Sequence, residues 1–195
     1  MRHLFLAFLC GALALPVGAA LTKGDHAPEF EAPASVGGRT FAFSLGEALR
    51  KGPVVVFFFP AAFTSECNVQ AHEFAVSHEK FLAAGATVVG VSLDDIDHLN
   101  AFSADPDYCG GKVAVVSDRN GDIAKSYELK VMAAPPGSKD THGAPIRHGL
   151  VESITFIIAS DGNVAATLVG PSPSSNVSRA LEIVQKLAPK QTATR

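Results

Sequence analysis

The feature that most constrains the fold is a continuous apolar run, residues 54–59, that ends at Pro60. Three valines followed by three phenylalanines predict a strand that is buried on both faces, and the run is too short for a buried helix. Proline ends the run because it has no N–H to continue a ladder of hydrogen bonds. The chain is therefore expected to build a layered protein around this strand.

Shorter apolar runs and segments with helical spacing alternate along the rest of the chain. Further buried strands are predicted at 87–93 and 113–116, and helices at 65–84, 97–103 and 122–127. Strands that alternate with helices indicate a mostly parallel sheet with right-handed crossovers.

The C-terminal part has a different pattern. Residues 153–159 and 164–169 flank Asp161 and Gly162, a hairpin turn signal that predicts an antiparallel pair. The resulting order, β-α-β-α-β-α-β-β-α, predicts an α/β protein with a thioredoxin-like fold, in which a central mixed sheet carries helices on both faces. Fold alone does not give function, so the function must be argued from a site.

Two further features complete the predicted organisation. Residues 132–149 contain three prolines and three glycines without periodicity and are predicted to form an inserted surface loop. Ser174 or Ser175 is expected to cap a final helix that reaches about Leu187. The many phenylalanines are interpreted as core residues.

The first twenty residues are typical of a secretory signal peptide. A basic start is followed by an apolar run, 4–17, and then by small residues. The alternatives are a membrane anchor, for which the run is short, and lipid modification of Cys10, which a bulky preceding leucine disfavours. We expect residues 1–20 to be removed on export, 21–188 to form one domain, and 189–195 to be a flexible tail.

Charge and composition exclude several classes of function. The formal net charge is −3 and no basic patch indicates nucleic-acid binding. After Ala20 no apolar run is long enough for stable membrane insertion. Cysteine and histidine show no zinc-ligand spacing, so no zinc site is expected. A reaction carried by a thiol would need no metal or organic cofactor, because sulfur carries the electrons. The acidic cluster Asp94, Asp95 and Asp97 is interpreted as a solvated loop or helix start.

Signal cleavage would leave two cysteines, Cys67 and Cys109. An exported protein with two cysteines usually carries a structural disulfide, so either this pair is a staple or one thiol is reactive. Cys67 falls in the first turn of the helix that follows the buried strand. Free N–H groups and the helix dipole favour an anion there, and this predicts a lowered thiol pKa and a nucleophilic thiolate.

Thr64 and Pro60, which precede Cys67 in the chain, are suited to a reaction at its sulfur. The Thr64 hydroxyl lies near the N-cap, where it can accept a hydrogen bond from a first-turn N–H, and it can hold a peroxide while the sulfur attacks the O–O bond. Pro60 can form a wall of the pocket without offering a competing donor. Such an attack would convert Cys67 into a sulfenic acid.

These residues resemble those of a known family. Pro60, Thr64 and Cys67 match the peroxiredoxin pattern Pro-x-x-x-Thr/Ser-x-x-Cys, and Phe63 and Gln70 are similar to the bacterioferritin-comigratory (PrxQ-like) branch. The resemblance covers most of residues 22–170, with further matching segments at 24–30, 116–127 and 155–158.

The resemblance implies a thiol-dependent peroxidase that reduces hydrogen peroxide or organic hydroperoxides through Cys67. It implies that Cys109 resolves the sulfenic acid; a permanent disulfide or a buried unpaired thiol are the alternatives. The implied partners are a peroxide substrate and an external thiol reductant, either a thioredoxin-like protein or a small thiol, and a homodimer is compatible with the family. With the signal peptide, this branch suggests a bacterial periplasmic protein.

The sequence departs from the family at two positions. Ser153 stands where the family has an arginine that pairs with the reactive thiolate, and Arg147 and Arg119 are the candidate replacements; Arg119 is interpreted as a solvated surface residue. His72 stands where PrxQ-like proteins often carry the resolving cysteine. Its helical position predicts that it faces away from Cys67.

Two rival functions follow from these departures. The first is a non-catalytic or weakly active thioredoxin-like protein, for binding or redox sensing, that has lost the family arginine at Ser153. The second is a general thiol–disulfide exchanger, which the absence of Cys-x-x-Cys disfavours. His142 and His148 in the insertion could bind a metal weakly, but no partner spacing supports this.

Overall fold

The computed structural model describes residues 19–170 and 172–188. The expected tail 189–195, and all of the expected signal peptide except Ala19 and Ala20, lie outside these residues. Within the described ranges, no helix combines the length and the hydropathy needed to cross a membrane.

Nine strands and six helices are assigned to the described residues. In chain order they are β1 (Glu31–Val36), β2 (Arg39–Ser44), α1 (Leu45–Leu49), β3 (Val54–Phe58), α2 (Ser65–Val76), α3 (His78–Ala83), β4 (Thr87–Ser92), α4 (Ile96–Ala104), β5 (Ala114–Ser117), α5 (Asp122–Ser126), β6 (Val131–Met132), β7 (Leu150–Val151), β8 (Thr155–Ile158), β9 (Val164–Leu168) and α6 (Pro173–Leu187).

The main sheet has seven strands in the order β2-β1-β5-β4-β3-β8-β9. Strand β3 lies parallel to β4 and antiparallel to β8, and β4 lies parallel to β5. The predicted C-terminal hairpin is confirmed as the antiparallel pair β8–β9. The thioredoxin-like mixed sheet predicted from the sequence is thus confirmed, and the strand that carries the apolar run lies inside it.

Side chains of β3 alternate between two hydrophobic layers, as expected for a strand covered on both faces. Val55 and Phe57 pack in the layer that contains α2, α3, α4 and α6, whereas Val56 and Phe58 pack in the layer that contains α1 and α5. Each fully buried side chain of this size contributes about 1.5–3 kcal/mol to burial free energy. Packing on both faces therefore fixes the position of β3 and of the loop that begins at its C-terminal end.

The single helix predicted over 65–84 is wrong, because the structure has two helices, α2 and α3. The break falls at Ser77, whose carbonyl accepts bonds from Lys80 and Phe81 and so starts a new helix. Phe74 and Phe81 pack together across the break, with ring centroids 5.6 Å apart. The apolar spacing continues through the break, and therefore the sequence pattern does not reveal it.

The last helix begins earlier than predicted. Its N-cap is Ser172, whose hydroxyl accepts a bond from the Ser175 amide, and Pro173 occupies the first turn. Neither Ser174 nor Ser175 is the cap. Proline suits this position because the missing N–H would have no helical partner there.

The insertion is confirmed as a surface segment, and both of its ends are anchored. Strands β6 and β7 pair at its base. Within it, Lys139 and Pro145 form an isolated bridge, and the Asp140 amide donates to the Ala144 carbonyl at 2.9 Å. The loop therefore has a defined fold, and it lies against the main domain as described below.

Replacing Gly90 by alanine should destabilise the protein by about 1–3 kcal/mol, the usual cost of overpacking a dense core. A Cβ at Gly90 in β4 would lie 2.7 Å from Phe57 Cζ and 2.9 Å from Phe59 Cε1. Urea denaturation measures the change. The matched control is Gly46→Ala, where the Cβ would meet only the movable Glu29 carboxylate at 3.2 Å and the change should stay within about 0.5 kcal/mol. Equal stability of the two variants would contradict this packing argument.

Candidate active site

Cys67 lies in the first turn of α2, directly after the loop that leaves β3. Its side chain is 4% exposed and its thiol is free. Pro60 is half-buried at the end of the strand. The predicted placement of the cysteine, at the carboxyl end of a central strand and the start of a helix, is confirmed.

Thr64 is the N-cap of α2, but its hydroxyl does not cap the helix. It donates instead to the Ala61 carbonyl at 2.8 Å. The expected bond from a first-turn N–H is therefore wrong for this structure. Because the hydroxyl hydrogen is engaged with Ala61, the oxygen lone pairs can accept a hydrogen bond from a bound peroxide.

A buried carboxylate, Asp94, holds the loop that precedes Thr64. Its Oδ2 accepts bonds from the Ala62 amide and the Ser92 hydroxyl, both at 2.8 Å, and the residue is 1% exposed. The interpretation of Asp94 as a solvated acidic residue is wrong, whereas Asp95 does start a helix as the N-cap of α4. The sequence did contain a signal for this contact. Strands β3 and β4 are parallel neighbours, so the residues that follow them, including Ala62 and Asp94, meet at one edge of the sheet.

The second oxygen of Asp94 faces the insertion. Asp94 Oδ1 lies 3.0 Å from His148 Nε2 and 3.8 Å from His98 Nδ1. Burial alone would raise the pKa of the Asp94 carboxyl, but its hydrogen bonds to His148, Ala62 and Ser92 outweigh this and hold the pKa below the ordinary value. Asp94 is therefore a charged group that joins two loops.

Phe63 brings the insertion against the reactive loop. Its backbone is in the left-handed region at φ 55°, and its carbonyl accepts a bond from the Thr141 amide at 2.8 Å. Its buried ring lies 4.2 Å from the ring centre of His142 and 5.6 Å from that of Tyr108. A buried aromatic residue with positive φ is strained, so surrounding contacts must impose this conformation.

The lowered pKa predicted for Cys67 is wrong for this structure. Burial raises the pKa of the Cys67 thiol above its ordinary value of 9.0, and the nearby Thr64 hydroxyl and Ala61 backbone only partly offset this. Carboxylates add to the rise, because Asp94 and the neighbouring Glu66 repel a thiolate. In the reduced fold the sulfur is therefore mostly protonated at neutral pH.

Cys109 lies in the turn that follows α4 and is fully buried. Burial raises the pKa of its thiol to about 12. Both described cysteines are free, so the structure contains no Cys67–Cys109 disulfide. The turn needs two residues with positive φ, Gly110 and Gly111, at 56° and 69°.

His72 lies in a more exposed environment than the buried Cys67 thiol. It is exposed on α2, and its Nδ1 lies 2.9 Å from the Asp107 carbonyl in the turn that holds Cys109. It thus links the outer surface of the helix to that turn.

The two candidate replacement arginines lie in other surroundings. Arg147 is exposed beside a cavity of about 340 Å³ that is also lined by Asp95, and Arg119 is exposed beside a different cavity lined by Asp118. Neither is among the charges that govern the pKa of the Cys67 thiol. The interpretation of Arg119 as a surface residue is confirmed, and Arg147 is also exposed.

Ser153 is exposed and lines a small cavity together with Glu66 and Gln70 of α2. A longer side chain at this position would therefore reach the first turns of the helix that carries Cys67. Gln70 is buried and donates to Thr155 Oγ1 at 3.3 Å, which ties α2 to β8.

No group of three or more histidine, cysteine or acidic side chains within 19–170 and 172–188 is arranged to hold a metal ion. The two insertion histidines have other contacts, His142 with the Phe63 ring and His148 with Asp94.

Comparisons with known proteins agree with this fold. A sequence profile of the AhpC/TSA family matches residues 23–167. A Mycobacterium tuberculosis protein that carries a peroxiredoxin name is 30% identical over 159 residues, which cover 82% of this chain and 92% of the relative. Chloroplastic peroxiredoxin Q of Populus jackii is 41% identical over 85 residues, covering 44% of this chain and 38% of the relative.

Solved structures share this fold. The crystal structure of peroxidoxin BcpB from Mycobacterium tuberculosis matches with a TM-score of 0.69 at 25% identity, covering 85% of this chain and 97% of that one. Peroxiredoxin Q of Xanthomonas campestris has a TM-score of 0.63 at 22% identity, covering 80% and 91%, and it supports the fold.

The fold and the family match define a thioredoxin-like thiol peroxidase. The chain belongs to the AhpC/TSA family, the peroxiredoxins, and is similar to its PrxQ/BCP branch. Its class of activity is that of the family, thiol-dependent reduction of peroxides.

The rate of alkylation of Cys67 should still increase as the pH rises past 9.0, the ordinary pKa of a thiol. Only the thiolate reacts, and the raised pKa of Cys67 means that the thiol is not yet fully ionised at that pH. The rate is measured with iodoacetamide on a chain whose only thiol is Cys67 (Cys10→Ser, Cys109→Ser). Ser153→Arg should shift the profile to lower pH by about one pH unit, and the uncharged Ser153→Gln should not. A plateau at or below neutral pH in the unchanged site would contradict the raised pKa.

Proposed function

We propose that this protein reduces peroxides with Cys67 as the nucleophile. The observation that carries the proposal is the position of the Cys67 thiol in the first turn of α2, three residues after the Thr64 hydroxyl and at the end of the central strand. Family membership gives the class of reaction, and this geometry is what supports assigning it to particular residues.

In the first step, the Cys67 thiolate attacks one oxygen of the peroxide. A sulfur–oxygen bond forms, the O–O bond breaks, and the other oxygen leaves as water or alcohol after it takes up a proton. Sulfur is oxidised to the sulfenic acid and the peroxide is reduced. The Thr64 oxygen accepts a hydrogen bond from the peroxide O–H and orients the O–O bond, while Pro60 closes one side of the pocket.

In the second step, Cys109 attacks the sulfenic sulfur, water leaves, and a disulfide forms. Both cysteines belong to one hydrophobic cluster, which supports the pairing, but both are buried. The turn that carries Cys109 must therefore move outward. Its high thiol pKa, about 12 in this fold, would fall once the segment is exposed to solvent.

An external thiol completes the cycle by reducing the disulfide. Two electrons from a thioredoxin-like protein or from a small thiol restore both cysteines, so no metal or organic cofactor enters the proposed cycle. We also propose that the chain is exported, with residues 1–20 as its signal peptide, and that it acts in a bacterial periplasm, as a monomer or homodimer. The donor would then be a thiol present in that compartment.

A second candidate, a weakly active redox sensor or binding protein, is favoured by the electrostatics of the site. The Cys67 thiol has a raised pKa, the charges that bear on it are carboxylates, and Ser153 supplies no cation. Such a thiol reacts slowly with peroxide unless the loop positions the substrate well. The rate of the first oxidation step separates this candidate from an efficient peroxidase.

Single-turnover oxidation with hydrogen peroxide should consume both thiols of a Cys10→Ser chain and form an intramolecular disulfide. The Cys109→Ser variant should stop at a Cys67 sulfenic acid, because the resolving thiol is gone, and Cys67→Ser should not react at a comparable rate. Intact mass and free-thiol counting follow the reaction.

The outcomes of that experiment separate the steps of the proposal. Oxidation that halts at sulfenic acid with Cys109 present would remove Cys109 from the cycle and keep the peroxidase. Oxidation of Cys67 no faster than that of free cysteine would favour the sensor or binding protein.

Thr64→Val should slow the peroxide reaction about 100-fold, as expected for loss of one positioned hydrogen bond in a transition state. Thr64→Ser keeps a hydroxyl and should retain most of the rate. Stopped-flow measurement with hydrogen peroxide gives both constants. Equal rates for the valine and serine variants would exclude a role for the hydroxyl.

A further inference from the structure

We propose that Asp94 is a positioning residue for the peroxide reaction and that His148 of the insertion holds it in place. This inference rests on the proposed function, because it concerns how the loop before Cys67 is kept in a reactive shape. Neither residue touches the sulfur in the proposed cycle. Both act through the backbone of residues 61–63.

Asp94 lies between the loop before Cys67 and the insertion, and it contacts both. Its Oδ2 accepts bonds from the Ala62 amide and the Ser92 hydroxyl, and its Oδ1 faces His148 Nε2 at 3.0 Å. A carboxylate buried to 99% would be costly to fold unless its oxygens were bonded, so the loop amide and the histidine are part of its stabilisation. Moving Asp94 would release Ala62, and with it the bend that leads to Thr64 and Cys67.

The ring of His148 is suited to carry a charge in this position. Its Nδ1 lies 2.8 Å from the Gly149 carbonyl, so both ring nitrogens face oxygen acceptors. A ring with protons on both nitrogens satisfies both contacts, whereas a neutral ring leaves one lone pair facing an oxygen. Burial would lower the pKa of His148, but the bonds to Asp94 and Gly149 raise it above its ordinary value of 6.5.

A second pair of residues extends the contact between insertion and domain. His98 of α4 lies 3.8 Å from Asp94 Oδ1 and, through Nε2, 3.3 Å from Asp140 Oδ2 in the insertion. Asp140 in turn accepts bonds from the His142 and Ala144 amides. The insertion thus contacts the domain at Asp94 and at His98, and it contacts the reactive loop itself where the Thr141 amide donates to the Phe63 carbonyl.

The charged groups around this pair define its pH window. Asp94 faces His148 from the insertion and His98 from α4; Asp95 adds negative charge beside His148, and Arg147 lines the same cavity. The pKa of Asp94 is lowered and that of His148 is raised. Both groups are therefore charged, and the ion pair is intact, at pH values between these two pKa values. It is lost as the pH rises through the pKa of His148, above 6.5, and as the pH falls through that of Asp94, below 3.8.

The test compares two reactions of the same thiol. Full-length chains whose only thiol is Cys67 are used, and two rate constants are measured. The reaction with hydrogen peroxide requires the site to orient the peroxide, whereas the reaction with iodoacetamide reports only the ionisation and the accessibility of the Cys67 thiol. Their ratio removes the pH dependence of the Cys67 thiolate. Asp94→Asn should lower this ratio about 10- to 100-fold, the range expected when a reacting group is displaced by about 1 Å or less.

His148→Gln provides a variant that keeps a polar side chain and cannot be charged. In the unchanged protein the ratio should fall as the pH rises through the His148 pKa, and in His148→Gln this step should disappear. The matched controls are Asp97→Asn, an exposed carboxylate in the first turn of α4, and His78→Gln at the start of α3. Both controls should keep the ratio and its pH step.

The possible failures can be told apart. Equal loss of both rates in Asp94→Asn and His148→Gln, together with a lowered melting temperature, would mean that the network only stabilises the fold and would overturn the inference. An unchanged ratio in both variants would also overturn it. If the unchanged protein reacts with peroxide no faster than free cysteine, the proposed function itself fails, and that result is visible before any variant is made.

Discussion

The structure of the site depends on how residues 61–64 are held between the central strand and α2. Among the bonds that hold this short segment are those of the Ala62 amide to Asp94, the Thr64 hydroxyl to the Ala61 carbonyl, and the Thr141 amide to the Phe63 carbonyl. Together they keep a buried phenylalanine at positive φ, a conformation that would otherwise relax. The direction of the first turn of α2, and hence the position of Cys67, follows from that bend.

Charge and geometry have opposite effects at this site. Helix position and the Thr64 contact favour the thiolate, but burial and two carboxylates favour the thiol, and the net effect is a raised pKa. In the proposed reaction, reactivity toward peroxide then comes mainly from orientation of the substrate, since a raised pKa leaves little thiolate at neutral pH. Ser153 lies beside the first turns of α2 and is uncharged. It therefore supplies no positive charge that would stabilise the Cys67 thiolate.

Most of the fold could be predicted from the sequence, because the apolar run of β3 and the turn signal before β9 reflect burial and backbone preference directly. The position of Cys67 followed from the same pattern. The break at Ser77 could not be predicted, because apolar spacing continues through it. Asp94 was misjudged because an acidic cluster is usually solvated, and only the tertiary fold places the Ala62 amide and His148 around one of its members.

The central claim is that the bend before Cys67 makes a thiol of raised pKa selective for peroxide. The most direct measurement compares two second-order rate constants for hydrogen peroxide near neutral pH, that of a chain whose only thiol is Cys67 and that of free cysteine, each measured alone by stopped flow. The account predicts a larger rate constant for Cys67, although its raised pKa leaves a smaller fraction of this thiol ionised than of free cysteine. A rate constant for Cys67 equal to or below that of free cysteine would contradict it.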